Sequence, residues 1–275
     1  MLPTMKIGDL HVSRLIVGSN PFTGKSHLTP DVDADMKAHF TEDAAFAMLH
    51  RCEEAGINAV QSRGSMPVMG LLHRYRQSGG TLMWLAQTGK SLTTFDDELH
   101  EMMKYHPAAV CIHGELSDEL FLTGMLDRLG GLLDRIRRYN VPCGICSHFP
   151  EVLSYAEEHH LKPDYYMASV YNLFQPDRSH DVNPTGERFE DSDVPLMYKT
   201  IRSLSAPAIA LKILGAGRKC ETQEQVRAAF IEAFSEMKRG DGVLVGMFDK
   251  YQDQPFLDAQ YAEEAIRLAE GAFHG

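Results

Sequence analysis

A closed parallel (β/α)8 TIM barrel preceded by a β-hairpin is the fold this sequence predicts, from three observations. Short apolar runs alternate with helix-like stretches from end to end, in about eight successive units, the count of the closed barrel. Nearly every apolar run stops on polar residues, whereas a doubly wound open sheet concentrates such residues at one central crevice. The chain has 275 residues, 44% of them hydrophobic, close to the roughly 250 residues one barrel needs. It shows no linker, low-complexity tract or internal repeat, so residues 1–275 are expected to form one domain.

Met5-Lys-Ile-Gly-Asp-Leu-His-Val12 alternates in hydropathy and turns at Gly8-Asp9, which predicts a hairpin plugging the amino end of the barrel. Leu15-Ile-Val-Gly18 reads as the first strand, ending at Ser19-Asn20-Pro21. Thr41 caps a helix with an acidic first turn that stops at Gly56. Strands then follow over 57–60 and 82–86, with helices over 67–77 and 95–105. Ala108-Ala-Val-Cys-Ile-His-Gly-Glu115 is an apolar run ending on a histidine, a glycine and a carboxylate. Strand geometry carried that far would point His113 and Glu115 the same way. A long amphipathic stretch over 119–139 is broken at Gly130-Gly131, and a strand over 141–146 ends in Ser147-His148. Pro150 opens a helix to about 160, and a strand over 165–170 leads to Tyr171-Asn172. A helix over 194–204, a strand over 208–211 ending in Lys212, a Thr222-capped helix to about 238, a strand over 243–245 and a helix over 256–271 complete the series. The polar segment 175–193 is too long for an ordinary connector and reads as a mobile loop over the site, or as a surface insertion.

The formal charge of −11, from 27 basic and 38 acidic residues, argues against a nucleic-acid partner, which needs a basic face. No apolar stretch approaches the ~20 residues of a membrane helix, and the start of the chain lacks a signal-peptide core. Five cysteines, an odd number, suit the reducing cytoplasm better than a disulfide framework. Cys143 and Cys146 form a CxxC inside an apolar run; residues three apart on a strand face opposite ways, so buried small hydrophobes are the better reading. The expected partner is a small-molecule substrate, and the oligomeric state is open.

The strand-end residues Asn20, Gln61, Arg63, Gln87, His113, Glu115, His148, Tyr171, Asn172 and Lys212 would converge on one pocket at the carboxyl face. Each alone has a structural explanation, but together they represent more buried polarity than a scaffold needs. Lys212, at the end of Ala-Ile-Ala-Leu, would ion-pair with Glu115, bind an anionic substrate group, or act as a Schiff-base amine. Gly215-Ala-Gly-Arg-Lys219 offers backbone N–H groups and two cations where these barrels hold phosphate. His113, Glu115 and His148 are also the right types for a metal, although no HxH or HExxH spacing supports one. His27, in the first βα loop, reads as a solvated residue rather than one reaching over the pocket.

With these motifs the chain resembles the aldo-keto reductases over nearly its whole length. The residues carrying the resemblance are the opening 6–18, Ala55-Gly-Ile-Asn58, Val110-Cys-Ile-His113, Gly144-Ile-Cys-Ser-His-Phe149, Tyr171-Asn-Leu173 and Val245-Gly-Met247. The resemblance implies a barrel oxidoreductase using NADP or NAD. Ser147, His148 and Asn172 would face the nicotinamide, and Gly215, Gly217, Arg218 and Lys219 the phosphates. It also implies an Asp-Tyr-Lys-His acid-base site, of which only His113 stands here. Gln61 occupies the Asp position, Met66 the Tyr position, and a lysine appears only at Lys90. A methionine cannot protonate a carbonyl oxygen, a step worth about 10²–10⁴-fold.

Three functions are therefore open. One is nicotinamide-linked chemistry on a small carbonyl or sugar-like substrate, with His113 or Lys212 handling the proton. Another is a lyase, epimerase or isomerase reaction with Lys212 as base or Schiff-base amine and His113 and Glu115 as the acid-base pair, or with a metal held by His113, Glu115 and His148, and with Gln61 and Arg63 in the same mouth. The last is a binding barrel without turnover, which the density of strand-end polar groups speaks against.

Overall fold

The computed structural model describes residues 2–174 and 187–271. It opens with the expected hairpin, β1 (Thr4–Ile7) and β2 (Leu10–Ser13), in register Ile7 with Leu10. Gly8 sits in the turn at φ 55°, where an added Cβ would lie 2.8 Å from Pro142, so only glycine closes it without strain. Eight strands follow and close into a parallel barrel: β3 (Leu15–Gly18), β4 (Ala59–Arg63), β5 (Met83–Gln87), β6 (Ala109–Ile112), β7 (Cys143–Ser147), β8 (Tyr165–Ser169), β9 (Ala208–Leu211) and β10 (Gly242–Gly246), which pairs back to β3.

Successive side chains on a strand face opposite sides, and the two apolar clusters sort accordingly. Ile16, Ala59, Leu85, Ala109, Cys111, Cys146, Tyr165, Met167 and Ile209 fill the interior, and Met5, Ile7 and Val12 of the hairpin join them from below. Leu15, Val17, Val60, Trp84, Val110, Ile112, Ile145 and Ala210 face out against the helices. The same alternation sends Gln61, Gln87, His113 and His148 inward, one step beyond the packed interior, at the carboxyl mouth.

The helices are α1 (Pro30–His39), α2 (Glu42–Glu54), α3 (Val68–Gln77), α4 (Phe95–Met103), α5 (Gly114–Leu122), α6 (Arg128–Arg137), α7 (Pro150–Glu158), α8 (Asp193–Ser203), α9 (Gln223–Glu236) and α10 (Gln254–Gly271). Thr41 and Thr222 cap α2 and α9 as expected, accepting from the N–H groups of Ala44 and Gln225. The sequence reading had no counterpart of α1, although Thr29, Pro30 and Asp31 spell a helix start; Thr29 accepts from Val32 N–H. Only Met36 of α1 is buried, so the helix shows almost no apolar stripe.

The stretch expected to break at Gly130-Gly131 breaks earlier, between α5 and α6, where Gly124 turns left-handed at φ 70°. Both glycines lie inside α6, which Leu129, Leu132, Leu133 and Ile136 pin to the barrel at helical spacing. Of the long segment expected over the site, residues 175–186 lie outside the described residues, and 187–192 lead into α8. Among the described residues no helix is long and apolar enough to cross a membrane.

Candidate active site

The carboxyl mouth holds a cavity of about 680 Å³ lined by Gln61, Arg63, Gln87, His113, Glu115, His148 and Lys212, together with Asn20 and Gly217. Most of the strand-end residues are thus brought together. Ser147, Asn172, Gly215, Arg218 and Lys219 are not among its lining residues.

His113 and Glu115 do not share a strand face. β6 ends at Ile112 and α5 begins at Gly114, so His113 becomes the N-cap and its Nδ1 accepts the Glu115 N–H at 3.1 Å. That bond leaves the proton on Nε2. Burial lowers the His113 pKa to about 3, and the helix N-terminus also disfavours a positive ring. His113 is therefore a neutral imidazole offering one N–H to the cavity. Glu115 turns instead to Lys90, at 2.5 Å. Burial raises its pKa, but the Lys90 hydrogen bond and charge outweigh that and hold it below the ordinary range.

His148 is organised differently, by a residue the sequence reading missed. Asp118, buried on the first turns of α5, accepts from His148 Nδ1 at 2.7 Å and from the His148 backbone N–H at 3.1 Å. A carboxylate only accepts, so Nδ1 carries a proton, and in the neutral ring Nε2 keeps its lone pair. Phe174 packs edge-on against the ring at 4.8 Å. His113 and His148 thus present opposite tautomers to one cavity, one a donor and the other an acceptor. The signal for Asp118 was available: five residues after His113 it falls on the turn of α5 that packs against the end of β7.

Lys212 breaks the strand alternation. Leu211 packs with the barrel interior, so the next side chain would point out into the helical layer. Lys212 instead takes φ 63° and lines the cavity. A left-handed conformation in a residue other than glycine costs about 1–3 kcal/mol and is typical of functional positions. Burial pushes its ammonium pKa down; Glu187 acts against this and Lys25 with it. The ion pair expected with Glu115 does not form, since Lys90 holds that carboxylate, and among the described residues no carboxylate lies within ion-pair distance of Lys212. Glu187 itself binds His27 Nδ1 at 2.6 Å.

His27 is not the solvated loop residue expected. Its side chain is buried, lines the cavity, and meets Asn20 Nδ2 at 3.1 Å through Nε2. Asp33 of α1 ties down the same loop by accepting from the N–H and hydroxyl of Ser26 at 2.7 and 2.5 Å.

Comparison with known proteins bears on the fold. No protein-family model matches the chain, and no curated protein is similar to it in sequence. Among solved structures it is similar to an aldo-keto reductase from Bacillus halodurans in its holo form, with a TM-score of 0.61 and 11% identity over 98% of this chain and 96% of that one. A thermostable aldo-keto reductase in complex with the inhibitor epalrestat gives a TM-score of 0.60 and 11% identity over 98% and 99% of the two chains. The chain shares the (β/α)8-barrel fold of these proteins. A second kind of barrel, the dihydropteroate synthase of Yersinia pestis, lies further away at a TM-score of 0.54, with 10% identity over the full length of both chains.

Of the residues that the resemblance implies for a nicotinamide dinucleotide, His148 and Gly217 line the cavity, while Ser147, Asn172, Gly215, Arg218 and Lys219 engage other partners. Ser147 faces outward; its hydroxyl donates to Asp118 at 2.6 Å and accepts from Phe149 N–H at 2.9 Å. Asn172 gives its N–H to Asp193 and takes that of Phe174 on its side-chain oxygen. In the expected phosphate loop, the N–H groups of Gly215, Gly217, Arg218 and Lys219 close on carbonyls of residues 212–215. The Arg218 guanidinium lies 3.8 Å over the Phe189 ring, and Lys219 pairs with Glu232 at 3.2 Å.

The metal alternative fares no better. His113, Glu115 and His148 do not form a ligand set, and among the described residues no three His, Cys, Asp or Glu side chains are grouped to hold an ion. Cys143 and Cys146 are buried free thiols, pushed by burial to about 11 and about 12. They are neither ligands nor nucleophiles.

Proposed function

We propose that this protein is an enzyme that forms an imine between Lys212 and a small anionic carbonyl compound and catalyses a lyase or isomerase reaction on it. Lys212 carries the proposal: an amine held at the cavity wall in a strained conformation, with its pKa depressed by burial and no ion-pair partner among the described residues. Those are the conditions that leave a lysine amine nucleophilic near neutral pH.

The acid-base groups complement it. The amine adds to the carbonyl carbon, one amine proton passes to the oxygen and a second comes from solvent, so that the oxygen departs as water and leaves a protonated imine; the N–H of His113 can hold that oxygen. The protonated imine withdraws electrons from the adjacent carbon. His148 Nε2, backed by Asp118, is oriented to take the proton from that carbon, or from a hydroxyl when a carbon–carbon bond breaks. Returning the proton and adding water releases product and restores the amine. Lys25 and Lys212 both line the cavity without a carboxylate in ion-pair range among the described residues, in a chain whose formal charge is −11. That local positive charge favours a carboxylate or phosphate substituent on the substrate.

The test is borohydride trapping with small α-keto acids and phosphorylated ketoses, read by peptide mass spectrometry. The expected result is a reduced adduct on Lys212 that Lys212→Met abolishes. Absence of any adduct, together with carbonyl-dependent oxidation of NADPH, would overturn the reading and restore the nicotinamide-linked reduction that the sequence resemblance implies.

A further inference from the structure

The cavity does not end at the ring of polar strand ends. Past Gly217 it continues between α1, α9 and α10, where Leu28, Val32, Met36, Val226 and Leu257 make an apolar lobe. One carboxyl group is set into that wall. Asp258, in the second turn of α10, is 5% exposed and lines the lobe. Among the described residues it has no hydrogen bond or ion pair, and burial alone raises its pKa to about 7.

Asp258 is the anionic group of this lobe. The titratable side chains whose charges it influences are the thiols Cys52, on α2, and Cys220, before α9; burial is the main cause that keeps both protonated. The neighbouring amides are partly engaged. Gln223 donates to Gln252 at 2.5 Å and accepts from the Tyr261 hydroxyl at 3.0 Å, while Gln254 accepts the Phe248 N–H at 2.6 Å. The side-chain NH2 groups of Gln252 and Gln254 have no hydrogen bond among the described residues, but they are neutral donors, and a cation is drawn to the carboxylate instead.

We propose that this lobe is a binding site for the amino group of a ligand with a short aliphatic stem, the ammonium pairing with the Asp258 carboxylate. An ammonium is a compact charge that one carboxylate can neutralise. Pairing removes the burial penalty on both ions, and the stem displaces water from the apolar wall. The site stands whether or not Lys212 forms an imine.

Calorimetric titration of the full chain with n-butylammonium chloride tests it, with n-butanol and adenosine monophosphate as comparison ligands. Saturable butylammonium binding is expected at pH 8, weakened at least about ten-fold by Asp258→Asn. In the unaltered protein, affinity should fall between pH 8 and pH 6 as the carboxyl takes up its proton, a readout independent of how the variant folds. Equal binding by Asp258→Asn, or a pH-independent affinity, would overturn the proposal. So would n-butanol binding as tightly as the amine, or adenosine monophosphate binding in a manner that Asp258→Asn weakens.

Discussion

Replacing Asp258 by asparagine should stabilise the protein, and by more as the pH rises. Burial raises this carboxyl from 3.8 to about 7 in the folded chain, whereas in the unfolded chain it ionises at its ordinary value. Between those two values the folded state holds a proton that the unfolded state has released, so stability falls as pH rises through the window and levels off above it. At 1.36 kcal/mol per pH unit the whole window is worth about 4 kcal/mol, of which about 3 kcal/mol lies between pH 5 and pH 7. Asparagine has nearly the same shape and no proton to lose. The assay is urea unfolding of both proteins at pH 5, 6, 7 and 8, taking the difference in unfolding free energy at each pH. Titrations elsewhere in the chain cancel in that difference because distant sites add independently. The advantage of Asp258→Asn should grow by about 3 kcal/mol from pH 5 to pH 8. A difference that stays flat would mean that Asp258 ionises normally in the folded chain, and the reasoning from burial would fail.

Asp118→Asn should leave the cavity in place but remove the acceptor that keeps the proton on His148 Nδ1; turnover of any substrate that traps on Lys212 should drop by about 10²–10⁴-fold, with trapping itself retained. His113, lowered to about 3 by burial, makes the opposite contribution to that of Asp258. The unfolded imidazole takes up a proton near 6.5, so stability is lost as pH falls from there towards 3, and His113→Gln should flatten that slope in acid unfolding curves. Glu115→Gln breaks only the half-exposed pair with Lys90, and urea unfolding should register less than about 1 kcal/mol. Trapping on Lys212 should survive that change, which would separate Glu115 from the chemistry first read into the His113–Glu115 motif.

The barrel was legible because its signal is repetitive: the apolar runs announce strands, and the residue ending each run marks the mouth. Gln61, Arg63, His113, His148 and Lys212 were located this way and do line the cavity. What failed were inferences that needed the local path of the backbone. The turn from β6 into α5 comes one residue earlier than strand geometry allows for Glu115, so the carboxylate swings to Lys90. Ser147 was recoverable by parity alone, since it follows the inward-facing Cys146 and must face out. Asp118 and His27 act through contacts that join separate elements, which no local pattern encodes. Asp258 sits in a helix with an ordinary apolar stripe, and only the packed structure shows that its wall has no counter-charge among the described residues.

The hairpin below the barrel has a kinetic consequence. With Met5, Ile7 and Val12 packed into the interior, the barrel is a vessel stoppered at one end, and whatever enters through the loops must leave through them. In the proposed reaction, reactant and product would then queue for one doorway instead of streaming through. A product that lingers there blocks the next molecule outright, so inhibition by product should be competitive with substrate.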